Sequence, residues 1–423
     1  MLKVLNDCVS QSAGAGAEAA STATSPGILF ITYTGLLEPL GQSQVLAYQE
    51  RLAAERQTHI ISFERPDDLK DLKRVEDVRG RARRAGIHWH PQVYHKRPSA
   101  LATLWDVATG ACVGIRLARK HHLRIVHARS YVASVMALLV KRFSGAKYLF
   151  DMRGFWADER VDGRLWTRDG RMYRIAKWFE RRFLTNADHV VSLTHAGVEV
   201  MSGFDYLQGR MPPMTVIPTC ADLQRFSPST GSDHLGRAFT IGYVGSAGTW
   251  YLFDAAAACF SYLLTLRPEA RLLVVNRNEH SYIRERLEAA GVPLDSVEIR
   301  EVAHAEVPSQ MARMDAGIFF IKPLFSKQAS APTKLGEMLG CGLPVLANSG
   351  VGDMAAILRR HKVGIAVDSL DGPALEEGVR ALLALCAEPG IRERCVESAY
   401  RHFSLERGVQ KYRAVYASMM GAA

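Results

Sequence analysis

Short apolar segments alternate with longer amphipathic segments along most of this 423-residue chain, and the alternation restricts the folds it can adopt. The segments 28–33, 125–128 and 240–244 are rich in β-branched and aliphatic residues, like strands buried on both faces of a parallel sheet. The segments between such runs have the apolar spacing of helices that cover a sheet. The sequence therefore predicts repeated βαβ units, with parallel sheets covered on both sides.

The alternation forms two series, which indicates two domains. The first series closes with a predicted strand at 215–219, and the second opens at 240. Between them lies a stretch with a composition typical of a linker, including Pro228, Ser229, Thr230, Gly231 and Ser232. The predicted organisation is a disordered lead at 1–26, a first Rossmann-like domain at 27–220, a linker at 221–237, a second Rossmann-like domain at 238–390, and terminal helices at 391–423 that pack back on the first domain.

The composition argues against several classes of protein. With 48% hydrophobic and 23% charged residues it is that of a globular protein, and no uninterrupted apolar run approaches the roughly 18 residues of a membrane span. No apolar block follows Lys3, as a signal peptide would require. The seven cysteines are scattered without a CxxC pair, which favours reduced thiols in the cytoplasm over a disulfide framework or a zinc site.

The net charge of +10 and the pI of about 9.3 favour anionic partners. Basic residues cluster at 70–84, 116–124 and 171–182, each time interleaved with apolar residues at helical spacing. The solvated face of a helix explains any one cluster, but together they suit contact with the anionic inner face of a cell membrane. The clusters lack the interleaved aromatic platform of nucleic-acid binding, so no nucleic-acid partner is expected.

The stretch 330–344 carries the most specific chemistry. Pro332 suits the first turn of a helix, and Gly342 suits the position just past its end. Lys334 and Glu337, three residues apart, project together away from an apolar stripe. A helix N-terminus beside an ammonium group binds phosphate, and a carboxylate one turn later accepts hydrogen bonds from ribose. The alternative is an amphipathic surface helix with an ordinary ion pair.

Two loops of the first series also have the composition of ligand sites. The loop 34–43 follows the first strand and places Gly41 before a helix, where a backbone can approach a ligand closely. It does not match GxGxxG, so a dinucleotide site is not indicated. The loop 151–160 combines Trp156 with Asp158, Glu159 and cationic residues, as sugar-binding sites do. A surface loop with ion pairs explains this second pattern equally well.

Together these features resemble the GT-B glycosyltransferases, and most closely the large retaining family with a subfamily-four-like N-terminal domain. The resemblance rests on Glu38-Pro39-Leu40-Gly41-Gln42-Ser43-Gln44-Val45-Leu46, Ile217-Pro218-Thr219, Gly242-Tyr243-Val244-Gly245, Pro332-Thr333-Lys334-Leu335-Gly336-Glu337, Gly342-Leu343-Pro344-Val345, and the tail from Phe403 to Tyr412. It implies an α/β GT-B fold, in which two Rossmann-like doubly wound domains face each other across a cleft. It also implies transfer of a hexose-like sugar from a nucleotide diphosphate sugar to a hydroxyl group, with retention of configuration.

The resemblance assigns donor-binding positions residue by residue. The helix that begins with Thr333 and Lys334 binds the diphosphate, Glu337 holds the ribose, and the backbone at 302–304 receives the nucleobase. The full predicted donor site comprises Gly41, Gly245, Ser246, Val302, His304, Lys327, Thr333, Lys334 and Glu337. The donor is a co-substrate, and no metal ion or cofactor is implied, because cations and helix N-termini offset the charge of the leaving diphosphate.

Three features depart from the family pattern. Ala329 replaces the first of two glutamates, the Arg/Lys pair after Gly245 is missing, and Arg129 replaces the second histidine of a His-x-His loop. The predicted catalytic residues are therefore Lys334, Arg153, Arg129 and His127. A lone histidine in a buried strand, such as His127, is however often only a core residue. The predicted contacts to the acceptor or the sugar are Trp156, Asp158 and Glu159.

The sequence thus predicts a metal-independent hexosyltransferase of the cytoplasm, acting at the inner membrane face. Its predicted acceptor is a growing polysaccharide or a lipid-linked glycan. A GT-B-fold sugar-nucleotide 2-epimerase is the second prediction, although its acid and base side chains cannot be placed. A catalytically inactive nucleotide-sugar-binding module is the third, because the family's first glutamate and its Arg/Lys pair are missing.

Overall fold

The computed structural model describes residues 25–97, 99–228 and 237–421. Most of the predicted lead at 1–26 and the greater part of the predicted linker at 221–237 lie outside the described residues. The described chain forms two α/β domains, each built on one parallel sheet. The six cysteines in these ranges form no disulfide.

Seven parallel strands form the sheet of the first domain, in the order β3-β2-β1-β4-β5-β6-β7. The order reverses between β1 and β4, and doubly wound sheets bind ligands at the carboxyl ends of strands beside such a point. The strands are β1 (Ser25–Thr32), β2 (Arg56–Glu64), β3 (Ile87–Val93), β4 (Ile125–Arg129), β5 (Lys147–Asp151), β6 (His189–Ser192) and β7 (Met214–Val216).

Helices cover both faces of this sheet. On one face, α1 and α3 pack through Val45, Leu46, Val75 and Val78, and on the other face α4, α5 and α7 form the larger core. The helices are α1 (39–52, with a π-helical middle, Gln42–Leu46), α2 (Pro66–Lys70), α3 (Leu72–Arg84), α4 (Ser99–Lys120), α5 (Ser130–Ser144), α6 (Trp156–Asp162), α7 (Arg171–Asn186) and α8 (His195–Ser202).

The second domain repeats this plan with six parallel strands in the order β10-β9-β8-β11-β12-β13. The strands are β8 (Thr240–Val244), β9 (Arg271–Val275), β10 (Val297–Arg300), β11 (Ala316–Ile318), β12 (Val345–Asn348) and β13 (Gly364–Val367). The helices are α9 (Phe253–Leu266), α10 (His280–Ala289), α11 (Val307–Met311), α12 (Thr333–Gly340), α13 (Met354–His361), α14 (Gly372–Cys386), α15 (Ile391–Phe403) and α16 (Leu405–Met420).

The last two helices belong to different cores. Cys395 and Phe403 of α15 join the core of the second domain, whereas Tyr412 and Tyr416 of α16 pack against the first sheet. The chain crosses between the domains at Ser404, which pairs with Ala221. Of the terminal helices predicted to pack on the first domain, only α16 does so, because the apolar face of α15 fits against α12.

The structure adds elements that local sequence patterns did not predict. The predicted loop 151–160 contains α6, and α8, α10, α11 and α13 were also not predicted. The strand predicted at 215–219 ends at Val216, just before Pro218. Pro332 lies at the N-cap position of α12 and not inside its first turn. The helices that were not predicted have ten residues or fewer, so each contains too few apolar residues to show a clear helical spacing.

One helix, spanning 100–120 within α4, is long and apolar enough to cross a membrane by length and composition. Polar residues such as Asp106 interrupt this segment, so it contains no long uninterrupted apolar run. In the structure its inner face, including Val107, Ala111 and Ile115, is buried in the core of the first domain. The apolar composition of α4 is therefore explained by packing against α5 and the sheet.

Candidate functional site

A cavity of about 590 Å³ lies in the cleft between the domains. Its walls come from segments that follow the carboxyl ends of strands, which is where sheets of this kind bind ligands. The first domain contributes α1, and the connection between the domains contributes residues 220–222 and 225–226. The second domain contributes His304 and Ala305 after β10, and Thr333 and Glu337 of α12. The predicted donor-binding helix thus borders this cavity between the two domains.

Lys334, in the first turn of α12, points its ammonium group into a shell of aromatic rings. Its Nζ lies 3.7 Å from the ring centre of Tyr251, 5.2 Å from that of Tyr243 and 5.3 Å from that of Phe319. The side chain is buried, and Nζ has no hydrogen-bond partner among the described residues. Burial lowers the pKa of Lys334 to about 7, although Glu337 and Glu279 oppose this. An anion bound here would satisfy an otherwise costly buried group.

The turn after β8 lies directly beside this ammonium group. Gly245 has a φ of +100°, and a Cβ added to it would lie 3.0 Å from Nζ of Lys334. Glycine is therefore required both by the backbone conformation and by the space that Lys334 occupies. Ser246 follows with an exposed side chain. The structure brings Gly245 and Lys334 together, and it places Ser246 next to them.

Glu279 anchors the same turn, a role that the sequence did not suggest. Its carboxylate accepts hydrogen bonds from the backbone N–H groups of Ala247 and Gly248, each at 2.9 Å, and from the side chain of Asn276 at 2.8 Å. Burial would raise the pKa of Glu279, but these donors hold it below its ordinary value. Glu279 thus holds in place the turn that, in the GT-B family this chain resembles, carries an Arg/Lys pair. Only its position just before α10, a helix that was not predicted, could have drawn attention to it.

Glu337 stands one turn after Lys334, at the wall of the cavity. Its Oε1 lies 3.9 Å from Nε2 of His304, and its side chain is only 13% exposed. Burial raises the pKa of Glu337 to about 7, while Lys334 and Arg225 act in the opposite direction. Arg225 also donates a hydrogen bond to the backbone carbonyl of His304. The predicted ribose and nucleobase positions are thus neighbours, and Arg225 is a further cation that the sequence analysis missed.

In the first domain, three predicted catalytic residues gather around Asp151 at the end of β5. Oδ1 of Asp151 lies 3.8 Å from Nη1 of Arg153, and Oδ2 lies 3.6 Å from Nε2 of His127. Arg129 is buried in the same cluster, where Nε has no hydrogen-bond partner among the described residues. Burial, and then Arg153, lowers the pKa of Arg129 to about 10. The predicted cations of the first domain are therefore close together, as expected from their strand ends.

This Asp151 cluster is covered by other parts of the chain. Tyr412 of α16 donates to Oδ2 of Asp151 at 3.1 Å, Tyr416 lies 2.7 Å from Nδ1 of His127, and Arg153 donates to Thr219 at 3.3 Å. Burial lowers the pKa of His127, which is fully enclosed by these contacts. His127 therefore has the surroundings of a core histidine.

Two of the three predicted acceptor contacts have other partners. Asp158 is buried and accepts from Lys177 at 3.0 Å and from Tyr173 at 2.8 Å, so it stabilises the fold of the first domain and does not face the cleft. Trp156 packs on Trp166 at 5.1 Å between ring centres and lines a different, apolar cavity. The prediction that Asp158 and Trp156 contact an acceptor is therefore corrected, because both side chains are engaged by other residues of the first domain.

Glu159 and Lys327, predicted for the acceptor and the donor, form an ion pair across the two domains at 2.8 Å. Nζ of Lys327 also lies 3.8 Å from the ring centre of Trp250. Close by, Asp353 of the second domain accepts from the backbone N–H groups of His195 and Ala196 at the start of α8. These contacts hold the domains together beside the cleft, and they occupy both Glu159 and Lys327.

Gly41 and Ala329 are also explained by packing. A Cβ on Gly41 would lie 1.9 Å from the carbonyl oxygen of Gly35, so the close approach that requires glycine is to its own loop and not to a ligand. Ala329, where the resembling family has a glutamate, is buried in the core of the first domain against Gly197. A longer side chain there would clash with α8. Among the described residues, no group of three or more His, Cys, Asp or Glu is arranged to hold a metal ion.

Comparison with protein families gives one match. Residues 41–220 match the family model described as a glycosyl transferase 4-like domain, which covers most of the first domain. A search of curated proteins finds no significant match to the chain.

Solved structures with the same architecture extend over both domains. Sucrose-phosphate synthase from Thermosynechococcus elongatus has a TM-score of 0.69 at 14% identity, with 94% of this chain and 100% of that chain covered. A glycosyltransferase from Rickettsia africae gives 0.68 at 14% identity, covering 94% and 100%. Anabaena HepE in complex with UDP and glucose gives 0.65 at 14% identity, covering 92% and 99%. The chain therefore has the GT-B fold that the sequence predicted.

Proposed function

We propose that this protein is a glycosyltransferase that moves a hexose from a nucleoside diphosphate sugar to a hydroxyl acceptor, with retention of configuration. The observation that carries the proposal is the buried, unpartnered ammonium of Lys334, held beside the turn at Gly245 and the cavity of the cleft. The family match over 41–220 and the GT-B fold support the reaction class. Retention is supported only by the motif resemblance.

The donor binds along α12 in this proposal. Lys334 and the first turn of α12 hold the diphosphate, since Pro332 offers no side-chain cap to that turn. Glu337 accepts hydrogen bonds from the ribose, and the backbone at 302–304 receives the base. Because HepE is described with UDP, with UDP-glucose and with UDP and glucose, uridine donors are the first to test.

In the transfer step, the acceptor oxygen forms a bond to the anomeric carbon while the bond from that carbon to the diphosphate oxygen breaks. The bonding electrons stay on the diphosphate, and the acceptor's proton passes to it. Lys334 stabilises the negative charge that develops on the leaving oxygen, and no metal ion is needed for this role. The acceptor is a glycan or a lipid-linked saccharide at the inner face of the cell membrane.

The test is a panel of nucleoside diphosphate sugars measured for thermal stabilisation and for slow hydrolysis. A true donor at a hundred times its Kd should stabilise the protein by about 2.7 kcal/mol. Lys334→Ala should reduce this stabilisation, whereas Lys73→Ala, an exposed lysine on α3, should keep it in full. Hydrolysis should survive excess EDTA.

Other outcomes identify the competing functions. Binding without any turnover, with or without an acceptor, would indicate a nucleotide-sugar-binding module. Inversion at the sugar's second carbon would indicate an epimerase. If no nucleotide sugar or nucleoside diphosphate stabilises the wild-type protein, the proposal fails.

A further inference from the structure

We propose that the first domain docks on an anionic lipid bilayer through the outer face of α7, the loop 163–170 before it, and the start of α4. We call this the docking face. It is separate from the donor site, and the inference does not rest on the proposed transfer reaction.

Large apolar side chains are exposed together on the docking face. Met172, Ile175 and Trp178 of α7 are 50%, 50% and 52% exposed, and Leu165 in the preceding loop is 65% exposed. At their spacing of three residues Met172, Ile175 and Trp178 form one stripe along the helix. Single exposed apolar residues are common, but a stripe of three on one helix indicates a surface that is covered by a partner.

The stripe borders an apolar cavity of about 150 Å³ between α5, α6 and α7. The rings of Tyr131, Trp156, Trp166, Phe179 and Phe183 line it together with aliphatic side chains. Tryptophan and tyrosine are enriched at the boundary between lipid headgroups and acyl chains. The cavity gives the docking face a recess into which hydrocarbon can insert.

The charge around the stripe decides which partner covers it. Arg171, Arg174, Arg181 and Arg182 of α7 are exposed, and none forms an ion pair with another residue in the described parts of the chain. The only acidic residue of α7, Glu180, is buried and bound by Lys177 and Tyr131. The outer face of α7 is therefore apolar and positively charged, and in the loop before it one exposed carboxylate, Asp169, is outnumbered by the exposed Arg164 and Arg168. That combination matches an anionic bilayer, which attracts the arginines and buries the apolar stripe.

A second apolar group lies at the same edge of the first sheet. Leu101, Leu104 and Trp105 at the start of α4 are 67%, 48% and 62% exposed. Helices α4, α5 and α7 cover the same face of the first sheet and run antiparallel to its strands, so their starts lie at one edge. Both apolar groups are thus at the carboxyl edge of the sheet, as a flat bilayer would require.

The docking face lies beside the cleft. Helix α6 connects the docking face to the cleft. It starts at Trp156, which lines the apolar cavity, and it ends just before Gly163. Gly163 packs closely against Trp250 of the second domain, because a Cβ added to it would lie 3.0 Å from that ring. An acceptor anchored in the bilayer would therefore reach the cleft over the length of one short helix.

The experiment is co-sedimentation of the full chain with vesicles of phosphatidylcholine, alone or mixed with phosphatidylglycerol. We expect binding to the mixed vesicles, weaker binding at high salt, and little binding to phosphatidylcholine alone. Arg171→Gln/Arg174→Gln should weaken partitioning about 30-fold, which corresponds to about 1 kcal/mol for each lost arginine. Ile175→Asp/Trp178→Asp should abolish binding.

Matched controls come from the opposite face of the same sheet. Leu72→Asp, at a residue 75% exposed on α3, and Arg83→Gln/Arg84→Gln should bind vesicles like the wild type. Circular dichroism and thermal melting would show that each variant is folded. Quenching of tryptophan fluorescence by brominated lipids should decrease in Trp178→Phe.

Three results would overturn the proposal. They are no binding of the wild type to mixed vesicles at low salt, equal binding to neutral and anionic vesicles, and equal loss of binding in the control variants. A donor that stabilises the protein while vesicles do not bind would leave the proposed reaction intact and exclude the docking face.

Discussion

The two domains each bury cationic side chains at the carboxyl edge of a sheet, but they surround them differently. In the first domain, Arg129 and Arg153 share the carboxylate of Asp151 beneath the tyrosines of α16. In the second, Lys334 lies among aromatic rings with no hydrogen-bond partner in the described chain. The first arrangement has a carboxylate within ion-pairing distance of Arg153, whereas no described carboxylate lies within that distance of Nζ of Lys334.

This difference separates a structural role from a ligand-binding role. Burial alone would raise the pKa of Asp151, yet Arg153, with His127 and Arg129, holds it below its ordinary value, so the carboxylate stays charged. Burial of Lys334 instead lowers its pKa to about 7, because only the more distant Glu337 and Glu279 oppose it. We infer that the Asp151 cluster orders the first domain and that Lys334 awaits an external anion.

The largest effect should come from breaking the Asp151 cluster. Asp151→Asn leaves two buried guanidinium groups without their carboxylate, which should destabilise the fold by about 3–5 kcal/mol. Thermal melting and chemical denaturation would measure the loss, with Asp67→Asn at an exposed site as the control. A variant with normal stability and no activity would mean instead that the cluster works on the substrate.

Removal of the Lys334 ammonium should leave stability intact and lower turnover. Lys334→Ala should reduce kcat roughly 100-fold, with a smaller rise in donor KM, because the contact strengthens as charge develops on the diphosphate. Lys334→Arg should restore only part of the activity, since a guanidinium fork differs from a point charge. The opposite result would be a Lys334→Ala variant with normal kcat and a stable Arg153→Ala or Arg129→Ala variant without activity. In that case the arginines of the first domain stabilise the negative charge on the leaving diphosphate.

Glu337 gives a third test, because the proposed function assigns it to the donor alone. Glu337→Ala should weaken binding of the donor and of the free nucleoside diphosphate equally, by about 1.5–3 kcal/mol for a lost hydrogen bond to a charged group. Calorimetric titration of both ligands would test this. Unchanged affinity for the free nucleotide would exclude contact between Glu337 and the ribose.

The smallest effect should be a pH dependence specific to the second domain. The free protein loses the Lys334 proton as pH rises through about 7, whereas binding of a diphosphate requires it. Affinity for a nucleoside diphosphate should therefore fall by up to about tenfold per pH unit above 7. Lys334→Arg should remove this slope, because a guanidinium stays protonated. A wild-type affinity that is constant from pH 7 to 9 would contradict the assignment.

Much of the fold could be predicted because its signals are local. The strands 189–192, 240–244, 271–275 and 364–367 agree with the structure, since a buried parallel strand is a short apolar run. Short helices such as α8 and α13 were missed because their burial depends on residues far along the chain. Asp353 illustrates this, because it caps α8 from the other domain.

The candidate site was only partly predictable for the same reason. The pairing of Lys334 with Glu337 follows from helical spacing, and the sequence located both. Glu279 and Arg225 were missed, because each reaches the site from an element with no recognisable motif. Gly41 and Asp158 were assigned to ligands from their neighbours in sequence, but backbone packing and an ion pair with Lys177 account for them.

The sequence by itself determined two doubly wound domains and the helix that carries Lys334 and Glu337, because strand and helix periodicities are properties of neighbouring residues. Only the tertiary structure decided which cations are neutralised within the chain and which remain without a partner. Charge compensation depends on groups brought together from distant segments, as Tyr412 and Thr219 are around Asp151 and Arg153. Burial determines how much free energy an unpaired charge costs. Lys334 carries this cost because no described group pairs with Nζ, whereas Arg153 is paired with Asp151.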